Sequence, residues 1–347
     1  MAISVKGMAK IGLIDADMMW GGRPHQIKYG HGRADVFPNL ALTKLSAWHK
    51  QQNDDVEWYM PFDGMYDRVY VSKVFSKTMT SRDIIQADEV YYGGSGFCIH
   101  TVHGREVWKE PVSTKQGSYV YQSRLPMEVE HIMPDYELYP GFTDTAMGFL
   151  TRGCPRGCKF CHVAGKEGRG SVKVADLKEW WNGQKNIILM DPNILACRSW
   201  RSLLVQLADS GAKVDINQGM DARLLTKEKV LLLNDIKLKT IHFAWDDIRQ
   251  KKSVLRGLEL FREYYTKKFE KGHQAQVYVL CNYNNTREQE LERIYTLRDM
   301  GYTPYVMVYN KESAPRYYKS LQRWCNCRAI FSKCERFEDY DYKLAKE

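Results

Sequence analysis

The sequence predicts an α/β protein in which a doubly wound parallel sheet precedes a partial (β/α)6 barrel. Three observations support this class. Strand-like and helix-like stretches alternate along the chain, the pattern fades between residues 98 and 145, and a second alternating series then begins. Such alternation is typical of parallel sheets whose strands are joined by helices. A length of 347 residues suits one large or two medium domains.

Residues 1–97 carry the first series of alternating elements. Lys10–Asp17 is expected to form a strand that ends in acidic residues, and Pro38–Gln52 a helix with apolar residues at helical spacing. Further strands are predicted at 55–60, 66–75 and 87–96. Doubly wound sheets bind ligands at the carboxyl ends of their strands, so the Gly- and His-rich stretch 15–33 is the candidate ligand loop of this domain.

The second series occupies residues 146–310, after a linker or cover segment at 98–145. Its predicted strands are 146–152, 186–190, 213–217, 239–245, 276–280 and 303–309. Six strand–helix units indicate a curved, partial α/β barrel, and residues 311–347 are expected to extend over it. The chemistry of such barrels lies at the C-terminal ends of the strands. The polar residues that follow the strands are Cys154, Asp191, Gln218, Asp246 and Asn282.

The composition is ordinary for a globular protein, with 44% hydrophobic and 27% charged residues. The chain has no run of about 18 apolar residues and no apolar signal-peptide core, so a cytoplasmic protein without a membrane partner is expected. Nine cysteines, an odd number, argue against a disulfide framework. The net charge of +9 suits an anionic partner such as a nucleic acid, although lysines on solvated helix faces would also explain it.

Three cysteines stand within eight residues, at Cys154, Cys158 and Cys161. Three thiolates on one tight loop can bind three corners of a cubane iron–sulfur cluster and leave the fourth iron without a protein ligand. A structural zinc site is the first alternative, and it would need a fourth ligand such as His162 or a cysteine near the C-terminus. Reduced structural cysteines are the second alternative.

The stretch from Gly148 to Val172 closely resembles the signature of the radical S-adenosylmethionine (SAM) superfamily. The resemblance implies a [4Fe–4S] cluster whose open iron takes the amino and carboxylate groups of SAM, and reductive cleavage of SAM to a 5′-deoxyadenosyl radical. It also implies an electron donor such as a flavodoxin or ferredoxin. Phe160 matches the aromatic residue that precedes the third cysteine in the family, and it is expected to pack near the adenine.

The resemblance extends over residues 146–310 and suggests which side chains contact SAM. Asp191 and Asn193 stand where the family receives the amino group, although Asp-Pro-Asn departs from the common Gly-Gly-Glu form and also makes a reasonable turn. The other expected cofactor-binding residues are Gln218, Asp221, Arg223, Asp246 and Asn282. For Asp221 and Arg223, pairing with each other at the start of the next helix is the alternative.

The N-terminal unit resembles the Rossmann-like domain that precedes the barrel in the cobalamin-associated and methylthiotransferase-like branches. The family's Asp-x-His-x-x-Gly cobalamin motif is absent. No Asp stands two residues before His25, His31, His100 or His103, so none of them completes the motif. Cobalamin binding therefore stays open, beside a role in covering the barrel and selecting substrate. Cys325, Cys327 and Cys334 are expected to be reduced thiols, with an auxiliary cluster as the alternative.

Two classes of function remain. The first is a radical SAM enzyme acting on an unidentified substrate, for which a nucleic acid or a methyl-transfer substrate is compatible with the sequence. The second is a non-catalytic, zinc-stabilised nucleic-acid-binding protein. Lys166 and Arg169, in the loop after the cysteines, are candidates for phosphate binding or belong to a solvated loop.

Overall fold

The computed structural model describes residues 8–20, 23–24, 28–29, 33–34, 37–80, 85–102, 105–111, 119–122, 124–269 and 275–340. The chain divides into two compact units. Unit 1 comprises Met1–Met147 and Lys178–Gln184, and unit 2 comprises Gly148–Leu177 and Lys185–Glu347. Both units are mixed α/β structures built on parallel sheets, which confirms the predicted α/β class. Within the described residues, no helix combines the length and apolar composition that a membrane crossing requires.

Unit 1 is built on a five-stranded parallel sheet. The strands described in unit 1 as a whole are β1 (Lys10–Asp15), β2 (Met19–Trp20), β3 (Arg23–Pro24), β4 (Lys28–Tyr29), β5 (Arg33–Ala34), β6 (Asp55–Trp58), β7 (Tyr66–Ser72), β8 (Ala87–Gly93), β9 (Ile99–Val102), β10 (Arg105–Trp108) and β11 (Tyr119–Gln122). The sheet has the order β11-β8-β7-β1-β6. The chain leaves β1 toward β6 on one side and returns to β7 on the other, so the doubly wound switch point lies between β1 and β7.

The helices of unit 1 are α1 (Leu40–Gln51) and the short α2 (Met127–Glu130). Asn39 caps the N-terminus of helix α1, and its side chain accepts a hydrogen bond from the backbone N–H of Leu42. The chain leaves the helix through Asn53, which adopts a left-handed φ of 62°. Leu42 and Leu45 pack against the sheet, so the apolar spacing seen in the sequence is the buried stripe of this helix.

The segment 98–145, expected to be a linker or cover, contributes to the sheet of unit 1. Strand β11 pairs in parallel with β8 and extends the sheet to five strands. Strands β9 and β10, which precede β11 in the chain, pair with each other in an antiparallel ladder. The sequence pattern missed β11 because the strand is only four residues long and stands in a segment punctuated by prolines.

Unit 2 is built on a six-stranded sheet whose strands follow the order of the chain. Its strands are β12 (Thr145–Gly148), which spans the boundary of the units, β15 (Asn186–Leu189), β16 (Lys213–Met220), β17 (Lys237–Ala244), β18 (Ala275–Cys281) and β19 (Thr303–Val308), and a separate ladder pairs β13 (Thr151–Arg152) with β14 (Val172–Lys173). Strands β15 to β19 pair in parallel. A helix stands between each successive pair from β15 onward, as parallel crossovers require.

The helices of unit 2 are α3 (Val163–Glu167), α4 (Trp200–Asp209), α5 (Lys227–Asp235), α6 (Lys251–Tyr264), α7 (Arg287–Asp299), α8 (Arg316–Asn326) and α9 (Arg328–Lys333). Buried side chains alternate along the strands, and Phe243 of β17 contacts Phe261 of α6. Helix α8 lies beside β19, where the Asn326 side chain bonds both the N–H and the C=O of Val306. This contact covers the free edge of β19.

Candidate functional site

The three cysteines predicted as cluster ligands lie on one loop after β13. Gly153 enters this loop with a φ of 81°, and a Cβ atom there would stand 2.2 Å from the carbonyl oxygen of Gly170. The backbone N–H of Cys161 donates to the carbonyl of Cys158 at 3.0 Å, and that of Cys154 donates to Gly168 at 3.2 Å. The glycine is required by both conformation and space. The backbone bonds then fold the loop back on itself.

The thiols of this loop interact with one another. Burial raises the pKa of Cys158, and the charges of Asp246, Cys161 and Cys154 raise it further. Cys161 is exposed to solvent, yet the partial loss of water around its thiol raises its pKa, and Cys154 and Asp246 add to the effect. Three thiolates on this loop would repel one another, so a bound cationic centre is what would stabilise them together.

The donor set fits a cubane cluster in its chemistry. Among the described residues, no three His, Cys, Asp or Glu side chains already converge on a point that a single metal ion would occupy. A cubane binds its cysteines at different irons, so its protein ligands need not converge on one ion. Thiolate is also the ligand type that iron–sulfur clusters take.

Asp191 is held by the chain itself. Its Oδ1 accepts the backbone N–H of Leu150 at 2.7 Å, and its Oδ2 accepts the N–H and the hydroxyl of Thr151 at 2.8 and 2.6 Å. The residue is 3% exposed, and burial raises its pKa to about 7. Both carboxylate oxygens therefore accept hydrogen bonds from the turn that leads into the cysteine loop, and these bonds hold that turn in place.

Asn193 lies beside the first cysteine. Its Nδ2 donates to the Sγ of Cys154 at 3.5 Å, and its backbone carbonyl accepts the hydroxyl of Ser171 at 2.8 Å. The residue is 3% exposed, and its Oδ1 has no hydrogen-bond partner among the described residues. A buried amide oxygen without a donor is costly, so this atom is suited to receive an N–H group from a bound molecule.

Asp221 and Arg223 pair with each other, which was the alternative to cofactor contact. Arg223 donates to Asp221 from Nε at 2.6 Å and from Nη2 at 3.1 Å, and Arg156 adds a third charged donor. Burial disfavours ionisation of Asp221, yet Arg223 and Arg156 hold its pKa below the usual value. The Nη1 group of Arg223 has no partner in the described part of the chain. Arg223 also acts electrostatically on Cys158, so this free donor belongs to the surroundings of the loop.

Asp246 follows β17 and is one of the charges that act on Cys158 and Cys161. Burial raises its pKa to about 6, partly offset by the charge of Arg293. Arg293 is fully buried and donates to the carbonyl oxygens of Trp245 and Leu280 at 2.6 and 2.8 Å. It therefore ties together the ends of β17 and β18, directly before the predicted site residues Asp246 and Asn282.

Asn282 is fixed by two contacts. Its backbone N–H donates to Glu290 at 2.6 Å, and its Nδ2 donates to the carbonyl of Tyr309 at 2.9 Å. Its φ of 62° is left-handed, which asparagine tolerates better than most residues. Asn282 thus connects the ends of β18 and β19 through its side-chain amide.

Phe160 belongs to an aromatic group at the ends of β18 and β19. Its ring meets the ring of Tyr283 edge to face at 5.5 Å, and Tyr283 meets Tyr309 at 4.8 Å. The structure therefore brings together the aromatic residue before the third cysteine and the ends of the last two strands. Gln218, another predicted cofactor contact, is exposed in an irregular part of β16.

The C-terminal cysteines have different surroundings from one another. Cys325 is buried, and its thiol donates to the carbonyl of Pro304 at 3.4 Å. Cys327 is exposed, and the thiol of Cys334 donates to the carbonyl of Arg336 at 3.1 Å. Two of the three thiols thus have backbone partners of their own.

The switch point of unit 1 is occupied by its own side chains. The hydroxyl of Tyr139 donates to Asp15 at 2.7 Å, and Asn39 donates to the hydroxyl of Ser72 at 2.8 Å. Asp17 accepts the backbone N–H of Val74 at 2.6 Å. The polar groups named here thus have hydrogen-bond partners within unit 1. His100 is exposed on β9, and His25, His31 and His103 lie outside the described residues.

Three charged residues that support the candidate site were not predicted from the sequence. Arg156 donates to Asp221 from the cysteine loop, and Arg293 of α7 donates to the carbonyl of Leu280. Glu290, one turn earlier on α7, accepts the backbone N–H of Asn282. The available signal was a charged residue on the apolar side of a helix, because α7 buries Glu290 and Arg293 beside Ile294 and Leu297.

A scan of the sequence against models of protein families gives no match, and a search among curated proteins gives none either. The assignment of function therefore depends on the chemistry of the site.

Proposed function

We propose that this protein is a radical SAM enzyme. The observation that carries the proposal is the loop with Cys154, Cys158 and Cys161, which backbone hydrogen bonds fold back on itself and which lies between β13 and β15 of unit 2. We also interpret the six-stranded sheet of unit 2 as a partial (β/α)6 barrel. Its strands follow chain order, and the candidate residues stand at their C-terminal ends, where such barrels carry their chemistry.

A [4Fe–4S] cluster and SAM, when bound, supply one-electron reductive cleavage of the sulfonium and hence a 5′-deoxyadenosyl radical. The residues that would hold the cluster are the three loop cysteines. Asn193 orients Cys154 through its amide N–H and offers its unpartnered Oδ1 to the ammonium of SAM. The free donor of Arg223 suits the carboxylate of SAM. In this proposal Asp191 shapes the turn before the loop and makes no contact with SAM.

Two further parts of the site have roles in this proposal. The rings of Phe160, Tyr283 and Tyr309 form an apolar wall that suits the adenine and excludes water. Arg293 fixes the carbonyl of Trp245, directly before Asp246, and the carboxylate of Asp246 can then accept a hydrogen bond from a ribose hydroxyl. An electron donor such as a flavodoxin or ferredoxin completes the reaction.

Anaerobic reconstitution with iron and sulfide tests the proposal. We expect about four irons per chain, the content of one cubane, and 5′-deoxyadenosine formation after reduction with dithionite in the presence of SAM. Alanine at any of the three loop cysteines should remove most of the iron and all SAM cleavage. Cys327→Ala, at an exposed cysteine outside the loop, is the matched control and should keep both. Full iron in the triple loop variant, or stoichiometric zinc without iron, would contradict the proposal.

The SAM contacts are tested separately from the cluster. Asn193→Ala should keep most of its iron but bind SAM about tenfold to a hundredfold more weakly, because an acceptor for an ammonium contributes roughly 1.5–3 kcal/mol. Calorimetry on the reconstituted protein measures this. Unchanged affinity would assign Asn193 to the fold alone, and about eight irons per chain would reveal a second cluster.

A further inference from the structure

One face of the sheet in unit 2 carries partly exposed side chains on adjacent strands. Thr240, His242 and Ala244 alternate with the buried residues of β17 that face the helices. On β19 the outward residues are Tyr305 and Met307, which are 40% and 47% exposed. We call the surface formed by Asn217, His242, Tyr278, Tyr305 and Met307 the open face.

Three rings on three adjacent strands form a ladder on the open face. His242 stacks on Tyr278 with ring centroids 5.0 Å apart and planes 11° apart. Tyr278 meets Tyr305, its partner on the next strand, edge to face at 5.8 Å. A Cβ atom on Gly219 would stand 3.3 Å from the ring of Tyr278, so the absence of a side chain at Gly219 leaves space next to this ring. Such aromatic surfaces stack nucleobases, since every base has a π-face.

Asn217 supplies a polar anchor next to the ladder. The register between β16 and β17 shifts after Ile216, and Asn217 lies in this irregularity. Its backbone carbonyl accepts the hydroxyl of Tyr278 at 3.0 Å. Its Oδ1 is buried and has no hydrogen-bond partner among the described residues. The amide can therefore take an N–H group from a ligand, and the edges of nucleobases carry such donors.

The cysteine loop and the segment after it are strongly basic. Between Arg152 and Lys173 there are six basic residues and one acidic residue, Glu167. Lys159 and Arg169 are exposed, and neither has an acidic partner in the described part of the chain. The guanidinium of Arg169 lies 3.5 Å from the position that a Cβ atom on Gly157 would take, so it stands over the loop. Exposed cations without acidic partners suit phosphate groups.

The ladder and the cysteine loop lie toward the same end of the sheet. Asp246 acts electrostatically on Cys158 and follows His242 by four residues, roughly 13 Å along an extended chain. A nucleotide with its base on the ladder could therefore direct its phosphates toward the loop. An acidic protein would also suit the basic loop, but it would leave the ladder and Asn217 without a role.

We propose that the open face binds the base of a nucleic-acid substrate, with Lys159 and Arg169 on its phosphates. The inference rests on the proposed function, because it names the substrate class of the same site. The base stacks on the ladder and donates to Asn217. The charge of +9 on the whole chain adds long-range attraction for such a polyanion.

Fluorescence anisotropy on the full-length reconstituted protein tests the inference. The probes are fluorescein-labelled single-stranded DNA and RNA of about twelve nucleotides and mixed sequence, within the range of ordinary single-strand sites. We expect Tyr305→Ala to weaken binding of the probes about fivefold to a hundredfold, because that is the affinity contributed by stacking of one base on an aromatic ring. Tyr305→Phe keeps the ring and should bind the probes like the parent. Tyr264→Ala, on helix α6, is the matched control and should bind like the parent.

Charge variants test the phosphate contacts. Arg169→Ala should lower the slope of log affinity against log salt by about 0.7, and Lys252→Ala, at an exposed lysine of α6, should leave it unchanged. Displacement of the probes by mononucleotides at similar concentrations would identify a free nucleotide as the substrate. Displacement by oligonucleotides alone would identify a nucleic-acid strand. The first result would keep base recognition but overturn the nucleic-acid strand as substrate, and the second would support both.

Three further results would overturn the inference. The first is that neither probe binds. The second is that Tyr305→Ala binds like its control, which would leave a charge-only surface such as one for an acidic protein. The third is that Tyr305→Ala loses SAM binding to the same extent, which would assign the ladder to the cofactor. Binding of the probes is measured without turnover, so failure of the cluster assignment and failure of base recognition are separate outcomes.

Discussion

At the scale of single residues, Asp191 connects the sheet of unit 2 to the cysteine loop. The sequence left two readings of this residue open, a SAM contact and a turn. The three hydrogen bonds that it accepts from Leu150 and Thr151 use both of its oxygens. The sequence thus predicts that a carboxylate stands at the end of this strand. It does not predict which groups bond to the carboxylate, because that depends on the three-dimensional arrangement of the neighbouring chain.

Asp191→Ala should destabilise unit 2 substantially. The substitution leaves the N–H groups of Leu150 and Thr151 buried without an acceptor, at a cost of about 1–3 kcal/mol each. We expect the urea midpoint of the cluster-free protein to fall by an amount equal to about 2–4 kcal/mol. Asp209→Ala, at an exposed residue ending α4, is the control and should change little. Equal midpoints for both variants would mean that the turn does not need the carboxylate.

Asp15 in unit 1 predicts a pH dependence of stability. Burial raises its pKa to about 6, above the value of about 3.9 in an unfolded chain. The unfolded chain therefore loses this proton first as pH rises, and stability falls between pH of about 4 and about 6. The shift corresponds to roughly 3 kcal/mol, all of it lost above pH of about 6.

Asp15→Asn should remove this part of the pH dependence. The stability difference between parent and variant should therefore shift in favour of the variant by about 2 kcal/mol between pH 4 and pH 7, because part of the effect is already lost at pH 4. Hydrogen exchange of the slowest β1 amides measures it for unit 1, and the contributions of other carboxyls cancel in the difference. A difference that stays constant over this pH range would show that Asp15 is ionised in the folded protein at pH 4.

At the scale of elements, helix α6 supports the turn that carries Asp221 and Arg223. A Cβ atom on Gly257, in the middle of the helix, would stand 1.8 Å from the carbonyl oxygen of Ala222. Alanine usually stabilises a helix by about 1 kcal/mol relative to glycine. The atom that the new Cβ would meet belongs to the backbone of Ala222 and cannot rotate away as a side chain could. The cost of this clash therefore exceeds the gain in helix propensity from alanine.

Gly257→Ala should therefore destabilise the protein by about 1–3 kcal/mol and weaken SAM binding, because the turn between Asp221 and Arg223 must move. Urea denaturation and calorimetry on the reconstituted protein measure the two effects. Glu259→Ala, at an exposed position of the same helix, serves as the control. If the Gly257 variant binds SAM normally in spite of lower stability, then Arg223 does not contact the cofactor.

The elements of unit 2 were largely predictable from the sequence. The predicted strands at 213–217, 239–245, 276–280 and 303–309 coincide with β16 to β19, because buried residues recur along them with a clear period. The predicted strand 146–152 is interrupted between β12 and β13. The N–H groups of Leu150 and Thr151 bond to the side chain of Asp191, 40 residues further along the chain, and no local pattern reports that contact.

At the scale of the whole molecule, removal of the cluster should affect the two units differently. A centre bound by the three loop cysteines stabilises the folded state of unit 2, because the unfolded chain does not offer the same site. Chelation of the iron should therefore increase hydrogen exchange in residues 148–177 of unit 2. Strands β1 and β7 of unit 1 are the internal reference and should keep their rates. Equal increases in both units would contradict this expectation.

The chain contributes to unit 1 twice, and this has a consequence during synthesis. Lys178–Gln184 belongs to unit 1, where the carbonyl of Trp180 accepts the hydroxyl of Tyr136 at 2.6 Å and Glu179 pairs with His131. The ribosome reaches Met147 before this segment exists, and at about 5–20 residues per second the delay is roughly 2–7 seconds. During that interval Tyr136 lacks its later partner while the cysteine loop is being made. Unit 1 can therefore be completed only after translation has passed the residues proposed to hold the cluster.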